Sequence, residues 1–326
     1  MYNFMFSANV FFFLAFLIGT NLQAQDVLPA PKPVPRMQVI PMPNHQASFQ
    51  RDGGVEMTRY HFGPGLHRPF LFPVIGPSGR SLTRMGHPHD PESHSHHNSV
   101  WISHNDVDEI SFWSDSGGGK ICHKRIVKFE DVGERSTIVT ENEWLTSEDK
   151  ALLLETRRVT VLLLPDSEWL LIIDMEFKAK DKPVTLGKTP FGMLGVRMAK
   201  TIGVNDGGGR IRNSEGAVNE KEVLWKRARW VDYSGAVTNE RLEGITLFDH
   251  PDNPNFPTYF HVRNDGWMGA SLTFDGPRKI RPKESLHLRY GLYVHSDMKA
   301  KEAIEAMWKQ FTKIHTTNPA NPSGKK

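Results

Sequence analysis

Runs rich in apolar and β-branched residues alternate with short polar breaks between residues 126 and 295. Runs of this length, bounded by turn-forming residues, predict β-strands. Pro165-Asp166-Ser167 separates two of the apolar runs and predicts a tight turn, so these two runs should form an antiparallel hairpin. The predicted strands cover residues 126–130, 136–147, 151–164, 169–180, 192–199, 229–233, 244–249, 258–262, 266–273 and 285–295.

Only one segment has the periodicity of a convincing helix. Between Met298 and Ile314, apolar residues recur at helical spacing, and Lys and Glu occupy the other side. No fixed-period repeat and no linker divides the middle of the chain. We therefore predict an all-β fold, a large antiparallel β-sandwich with one C-terminal helix, as a single domain over residues 46–315.

The two ends of the chain depart from this pattern. Residues 8–19 form an apolar run of twelve residues, which is short for a membrane span but typical of a signal-peptide core. We predict a signal peptide over residues 1–24, a Pro-rich leader over residues 25–45 and a flexible tail over residues 316–326. The protein is then expected in the periplasm or outside the cell, with no membrane span after signal removal.

Composition excludes several classes of function. The chain has 40 Lys and Arg against 37 Asp and Glu, a formal charge of +3, so we expect no nucleic-acid partner. The single cysteine, Cys122, excludes an intramolecular disulfide and a cysteine-based metal cluster. The glycine-rich stretches at 117–120 and 206–209 lack the Lys-Ser or Lys-Thr pair of a phosphate-binding loop, so no nucleotide cofactor is expected. No pattern indicates the oligomeric state.

The candidate chemistry is concentrated in one histidine-rich segment. Seven of the 15 histidines lie between residues 67 and 104, at positions 67, 87, 89, 94, 96, 97 and 104. Gly and Pro in the same segment predict loops that join short strands. Because loops on a rigid sheet often carry binding and catalytic residues, we expect the functional site here.

Two of these histidines have the spacing of a possible metal site. His94 and His96 would lie on one face of a strand, and His104 would share that face if the strand ran unbroken. With a carboxylate such as Asp106, these imidazoles suit zinc or iron(II) with an open coordination position. The alternative is a polar loop whose histidines bond only backbone and water.

The same residues also suit chemistry without a metal. A neutral histidine can act as a general base near pH 7, which makes His96, His97 and His104, with Asp106, candidates for proton transfer. Trp101 and Trp113 could stack on a sugar ring while arginines bind its hydroxyls, although each tryptophan alone fits a core position as well. The candidate substrate-binding residues are His67, Arg68, Arg84, Trp101, Trp113, Arg197, Asp232 and His250.

These stretches, taken in order, resemble the PmoA-like domain family of exported bacterial proteins, often labelled "methane oxygenase PmoA". The shared residues include His67-Arg68-Pro69, the run from His96 to Trp101, Phe112-Trp113, the run from Trp230 to Gly235, and Asp249-His250-Pro251. The resemblance covers residues 59–295 and implies a fold similar to the galactose-mutarotase-like supersandwich, whose members usually bind or act on carbohydrate. It does not imply a membrane methane monooxygenase, because the chain has no internal apolar run of about 20 residues.

Together these observations predict an exported carbohydrate-active protein with a small-molecule or glycan ligand. The favoured chemistry is histidine-based proton transfer on a sugar, as in epimerisation, mutarotation or elimination. Two alternatives stay open: a non-catalytic glycan-binding module, and a metal-dependent oxygenase or hydrolase with zinc or iron on His94, His96 and His104. The sequence alone leaves open whether the protein is an enzyme.

Overall fold

The computed structural model of the protein describes Met1 and residues 31–315. The predicted signal peptide beyond Met1, the first residues of the predicted leader and the predicted tail lie outside these described residues. Within the described part, no helix is long and apolar enough to cross a membrane.

Strands dominate the described residues. They are β1 (Met37–Met42), β2 (Gln46–Arg51), β3 (Val55–His61), β4 (Phe70–Val74), β5 (Val100–His104), β6 (Lys120–Val132), β7 (Arg135–Leu145), β8 (Ala151–Leu163), β9 (Trp169–Ala179), β10 (Val184–Leu186), β11 (Gly192–Arg197), β12 (Arg210–Asn213), β13 (Lys226–Arg227), β14 (Trp230–Thr238), β15 (Arg241–Asp249), β16 (Tyr259–Arg263), β17 (Trp267–Ser271), β18 (Arg278–Ile280) and β19 (Ser285–Ser296). The α-helices are α1 (Val204–Gly207), α2 (Asn219–Val223) and α3 (Lys301–Phe311). The predicted hairpin is confirmed, since β8 and β9 pair antiparallel across residues 165–167.

The strands form two large antiparallel sheets and one small one. One sheet has nine strands in the order β1-β2-β3-β4-β5-β11-β17-β16-β13, and the other has eight in the order β12-β14-β15-β19-β9-β8-β7-β6. Strands β10 and β18 form a separate pair. One buried apolar cluster takes side chains from both large sheets, such as Ile102 and Leu194 from the first and Val159 and Leu171 from the second. The predicted all-β antiparallel sandwich is therefore confirmed.

The C-terminal helix covers the outer face of the eight-stranded sheet. Leu170 and Ile172 of β9 point away from the shared core and pack with Ile304 and Phe311 of α3. Their neighbour Leu171 points inward, as the alternation of side chains along a strand requires. The predicted helix is confirmed, and it is three residues shorter at each end than the apolar pattern.

The folded part begins earlier than we predicted. Strand β1 lies inside the range 25–45, which we interpreted as a Pro-rich leader. Pro41 pairs with Ala47 in this strand. Because β1 is the outermost strand of its sheet, a proline that lacks an N–H donor is tolerated there. Part of the proline-rich segment is therefore an edge strand.

Candidate functional site

The floor of the candidate site is a row of residues across four neighbouring strands. Trp101 of β5 pairs with Gly195 of β11, Gly195 with Gly269 of β17, and Gly269 with His261 of β16. A Cβ atom on Gly195 would lie 2.6 Å from Cζ2 of Trp101, and one on Gly269 would lie 2.9 Å from Cζ2 of Trp267. The two glycines therefore leave the space that the neighbouring rings fill.

An aromatic cluster occupies this outer face of the nine-stranded sheet. Trp101, Trp113 and Trp267 are buried together, with ring centroids 5.4 Å apart for the first two and 6.0 Å apart for the last two. Phe191 packs 5.6 Å from Trp113. This cluster is separate from the core between the sheets, so its rings are placed beside a surface opening rather than in the protein centre.

A cavity of about 460 Å³ opens above these rings, which is the size of a small-molecule site. One wall is the loop between β4 and β5, and the opposite wall is the β16–β17 hairpin. The lining residues are His87, His94, His96, His97, Asn105, Trp113, Phe191, Arg197, His261, Arg263, Asp265 and Trp267.

Four histidines of the loop converge at this cavity. Ring centroids lie 4.8 Å apart for His87 and His94, 4.9 Å for His94 and His97, and 4.5 Å for His96 and His97. The prediction that His94 and His96 share a strand face is wrong, because residues 91–96 form turns. The turns nevertheless bring these two rings within 5.8 Å of each other.

His94 is oriented by a carboxylate and keeps one ring nitrogen available. Its Nδ1 lies 3.0 Å from Oδ2 of Asp90 and 2.9 Å from Oγ of Ser93. Hydrogen bonds from Ser93 and from His94 lower the pKa of Asp90, so the carboxylate is ionised at neutral pH. A proton on Nδ1 then leaves the lone pair on Nε2, which is the arrangement of a general base.

His87, Asp265 and Arg197 form a hydrogen-bonded chain that fixes the wall made by the β16–β17 hairpin. Its Nε2 lies 2.9 Å from Oδ2 of Asp265, while Oδ1 of Asp265 accepts a hydrogen bond from Arg197 at 2.9 Å. Although burial opposes ionisation, Arg197 and His87 hold the pKa of Asp265 below its usual range. The Nδ1 atom of His87 accepts the backbone N–H groups of His89 and Asp90, so both ring nitrogens are engaged. His87 is therefore a positioning residue rather than a base.

His96 and His97 are neutral imidazoles with no hydrogen bond to their ring nitrogens from the described residues. Burial, helped by Arg68, lowers the pKa of His96 to about 4. Burial and the neighbouring His96 also lower the pKa of His97, whose Nδ1 is buried without a partner. The His97 ring stacks on Trp101 at 5.3 Å. A neutral imidazole carries one donor and one acceptor nitrogen, so the ring nitrogens that face the cavity can bind the hydroxyls of a neutral ligand.

Arg68 lies beneath the site and does not face the cavity. The side chain is 1% exposed, and it donates to Oδ1 of Asn98 at 2.7 Å and to the carbonyl of Trp113 at 2.9 Å. It also forms an ion pair with Asp115 at 2.9 Å. Its predicted role in substrate binding is corrected, because these bonds make it a clamp that holds the loop against the sheet.

The structure places four further predicted residues outside the cavity lining. His67 is exposed, and Arg84 is partly buried and donates from Nε to the carbonyl of Met85 at 3.4 Å. Asp232 is fully buried within the eight-stranded sheet, where His295 and Arg212 bind its carboxylate. His250 packs edge-on against Phe311 at 5.4 Å. Of the residues predicted to bind substrate, Trp113 and Arg197 line the cavity, and Trp101 lies in its floor.

His104 and Asp106 do not join the histidine cluster. His104 is buried, accepts the N–H of Asp106 at Nδ1 and lies 2.9 Å from Oγ1 of Thr273 at Nε2. Asp106 accepts the N–H of Glu109 in a turn. The predicted ligand set of His94, His96 and His104 is therefore not assembled, because strand β5 begins only at Val100. Within residues 31–315, no three His, Cys, Asp or Glu side chains are placed to hold one metal ion.

Several residues in or beside the cavity lining were not among the predicted site residues. Asp90 and His87 stand in the histidine-rich segment, but their pairings depend on the loop's path. His261, Asp265 and Trp267 stand in or beside two predicted strands that a glycine turn joins. A hairpin through Gly266 would have placed them together, yet the pairing of this hairpin with β11, and of β11 with β5, carries no local signal.

Comparison with known proteins identifies a family and a set of distant folds. A family model described as "Family of unknown function (DUF6807)" matches residues 47–309. Among curated proteins, none matches this chain significantly.

Solved structures with a similar fold include a GalM/aldose epimerase homologue from C. elegans, with 10% identity and a TM-score of 0.36 over 80% of this chain and 98% of that one. A galactose mutarotase related enzyme from Lactobacillus acidophilus has 9% identity and a TM-score of 0.35 over 80% and 97% of the two chains. A putative kojibiose phosphorylase from human microbiome has 9% identity and a TM-score of 0.35 over 89% of this chain and 38% of that one. Similarity at this level says nothing about the ligand.

Proposed function

The chain belongs to the DUF6807 family, and we propose that its histidine-lined cavity binds a sugar and transfers a proton on it, with His94 as the base. The observation that carries this proposal is the meeting, in one cavity, of unengaged imidazole nitrogens with a floor of tryptophans. Sugars present apolar C–H faces that pack on aromatic rings, and hydroxyls that both donate and accept hydrogen bonds.

The groups in the cavity suit the opening and closing of a sugar ring. His94 Nε2 takes the proton of the anomeric hydroxyl while the bond between the anomeric carbon and the ring oxygen breaks. The imidazolium, stabilised by Asp90, then returns this proton to the ring oxygen, so that an open-chain aldehyde results and His94 is restored. Closure on the other face of the carbonyl gives the second anomer. Neutral His96 and His97 can donate hydrogen bonds to the oxygen on which negative charge develops.

The cavity is poorly suited to glycoside hydrolysis. That reaction ordinarily uses two carboxyl groups on either side of the glycosidic bond. Among the described residues, Asp265 is the only acidic one in the cavity lining, and Arg197 and His87 occupy its two oxygens. We therefore favour proton transfer over hydrolysis among the reactions of a carbohydrate-active enzyme.

The test is the rate at which freshly dissolved α-anomers equilibrate, followed by proton NMR with and without the protein. The panel holds D-glucose, D-galactose, D-xylose and D-glucuronate, and binding of each is measured separately by calorimetry. We expect at least one neutral sugar to bind and to equilibrate faster. His94→Ala should reduce the acceleration by about 100-fold or more and change the binding constant by no more than a few-fold.

His89→Ala is the matched control. His89 lies on the same loop and pairs with Asp206 at 2.7 Å, much as His94 pairs with Asp90, but it does not line the cavity. Its replacement should leave the rate unchanged. Binding without any acceleration would favour a glycan-binding module instead. An absence of binding to every sugar of the panel, and to their oligosaccharides, would refute the proposal.

A further inference from the structure

A strip of aromatic side chains leads from the cavity to the edge of the nine-stranded sheet. We call Trp225, Tyr259 and Phe274 the aromatic ledge. Trp225 is 47% exposed and is the only exposed residue among the eight tryptophans, all of which lie in the described part of the chain. Tyr259 and Phe274 are partly exposed beside it.

The ledge is continuous with the cavity through a shared histidine. The ring of His261 lies 4.2 Å from Trp267 in the cavity and 6.1 Å from Trp225 on the ledge. From Trp225, the strip continues to Phe274 at 5.8 Å, and from Phe274 to Tyr259 at 4.5 Å. A ligand that leaves the cavity over His261 therefore passes directly onto these rings.

The backbone holds Trp225 in a conformation that is unfavourable for a bulky residue. Its φ angle is +57°, in the left-handed region that favours glycine or asparagine, and its N–H donates to the carbonyl of Phe260 at 2.8 Å. Both the positive φ angle and the exposed indole cost stability. Costs of this kind concentrate at sites of binding.

Polar groups border the ledge. Arg227 lies over the Tyr259 ring at 4.4 Å and is paired with Asp275 at 2.6 Å. Flat apolar rings with hydrogen-bonding groups at their margin fit the apolar face and the hydroxyls of a sugar. A protein partner would require a larger continuous apolar patch than three rings provide.

We infer that the aromatic ledge is a second sugar subsite, which binds a sugar unit linked to the one in the cavity. This inference rests on the proposed function and narrows it. The ligand is then an oligosaccharide or a glycan end, with one unit among the histidines and the next on Trp225.

The test compares the affinities of sugars that differ only in length. The probes are D-glucose, D-galactose and D-xylose with their linear oligosaccharides of two to four units, measured by calorimetry. We expect a series whose longer members bind more tightly than the single sugar. Trp225→Ala should weaken the oligosaccharide about tenfold and leave the affinity for the single sugar within about twofold. Trp225→Phe, which keeps a flat ring, should retain most of the affinity.

The control is Val132→Ala, which removes an apolar side chain of similar exposure (55%) at the edge of the other large sheet. It should alter neither affinity. If the single sugar binds but Trp225→Ala leaves the oligosaccharide unaffected, or weakens both ligands equally, the ledge is not a subsite and the proposed function stands. If no member of any series binds, both proposals are refuted.

Discussion

Acidification should destabilise this protein well above the pH at which carboxylates titrate. Burial lowers the pKa values of His96, His104, His123 and His261 to about 4 in the folded chain. In the unfolded chain, a histidine binds a proton near pH 6.5. Below that pH the unfolded chain holds more protons than the folded chain, so the free energy of unfolding falls as the pH falls.

The size of the effect follows from the two pKa values. Between pH 7 and pH 5, a histidine whose pKa shifts from 6.5 to 4 loses roughly 2 kcal/mol of its contribution to stability. Four such residues acting independently lose roughly 7 kcal/mol. Asp249 opposes them, because burial raises its pKa to about 7. Its uptake of a proton in the folded chain restores roughly 2 kcal/mol over the same interval. The net loss of roughly 5 kcal/mol is comparable to the whole stability of many domains.

The assay is urea unfolding at half-unit steps from pH 7.5 to pH 5, followed by tryptophan fluorescence and far-UV circular dichroism. The free energy of unfolding should fall with a maximal slope of about two to four protons per molecule. His104→Asn removes one of the titrating groups and should reduce this slope by about one proton below pH 6. His67→Gln replaces an exposed histidine and should leave the slope as it is in the parent chain.

A free energy of unfolding that stays constant from pH 7 to pH 5 would refute the reasoning. It would mean that the four rings find proton-binding partners in the folded chain, or that water reaches them. A slope that is equal in the parent and in His104→Asn would refute the assignment to that residue alone.

Two further substitutions test how the site is built. Gly195→Ala places a Cβ atom 2.6 Å from Trp101, so it should lower the free energy of unfolding by about 1–3 kcal/mol and abolish sugar binding measured by calorimetry. Gly276→Ala is the control, because a Cβ atom there has no neighbour within 4 Å, and it should change neither quantity. Arg68→Met should lower the free energy of unfolding in urea by about 3–5 kcal/mol, because it leaves Asp115 and several carbonyls unpaired. Arg84→Met is the control at a partly exposed arginine, and it should lower this free energy by less than about 0.5 kcal/mol.

The strands were predictable where the local pattern carries the information. Residues 151–164 and 169–180 are runs rich in apolar residues on either side of a turn, and their hairpin follows from neighbouring residues alone. The order of strands in the nine-stranded sheet cannot be predicted from neighbouring residues. Strand β11 pairs with β5 and β17, whose paired residues lie at least 70 positions away in opposite directions along the chain. No local preference specifies such pairings.

The candidate site was predictable in its location but not in its roles. The density of histidines indicated the loop between β4 and β5, and three residues predicted from it, His94, His96 and His97, line the cavity. The roles depended on the loop's path. His94 and His104 were assigned to one strand face by their even spacing, yet Ser99, with a φ angle of +60°, lies between the turns and the strand. A positive φ angle at a serine cannot be recognised from the sequence, because serine, unlike glycine or asparagine, is not a residue that indicates this conformation.

The charges around the cavity restrict the ligand further than the histidines do. A phosphate or carboxylate on the ligand would need a cation that is free to bind it. Both arginines in the cavity lining are paired within the protein: Arg197 with Asp265 at 2.9 Å, and Arg263 with Glu220 at 2.9 Å. His96 and His97 remain neutral at physiological pH because burial lowers the pKa of each ring. An acidic sugar would therefore lose its hydration on entering and would have to compete with Asp265 and Glu220 for these two arginines. The cavity should therefore bind neutral sugars more tightly than sugar phosphates and uronates. The aromatic floor favours the same class, because a sugar packs on these rings through an unobstructed C–H face.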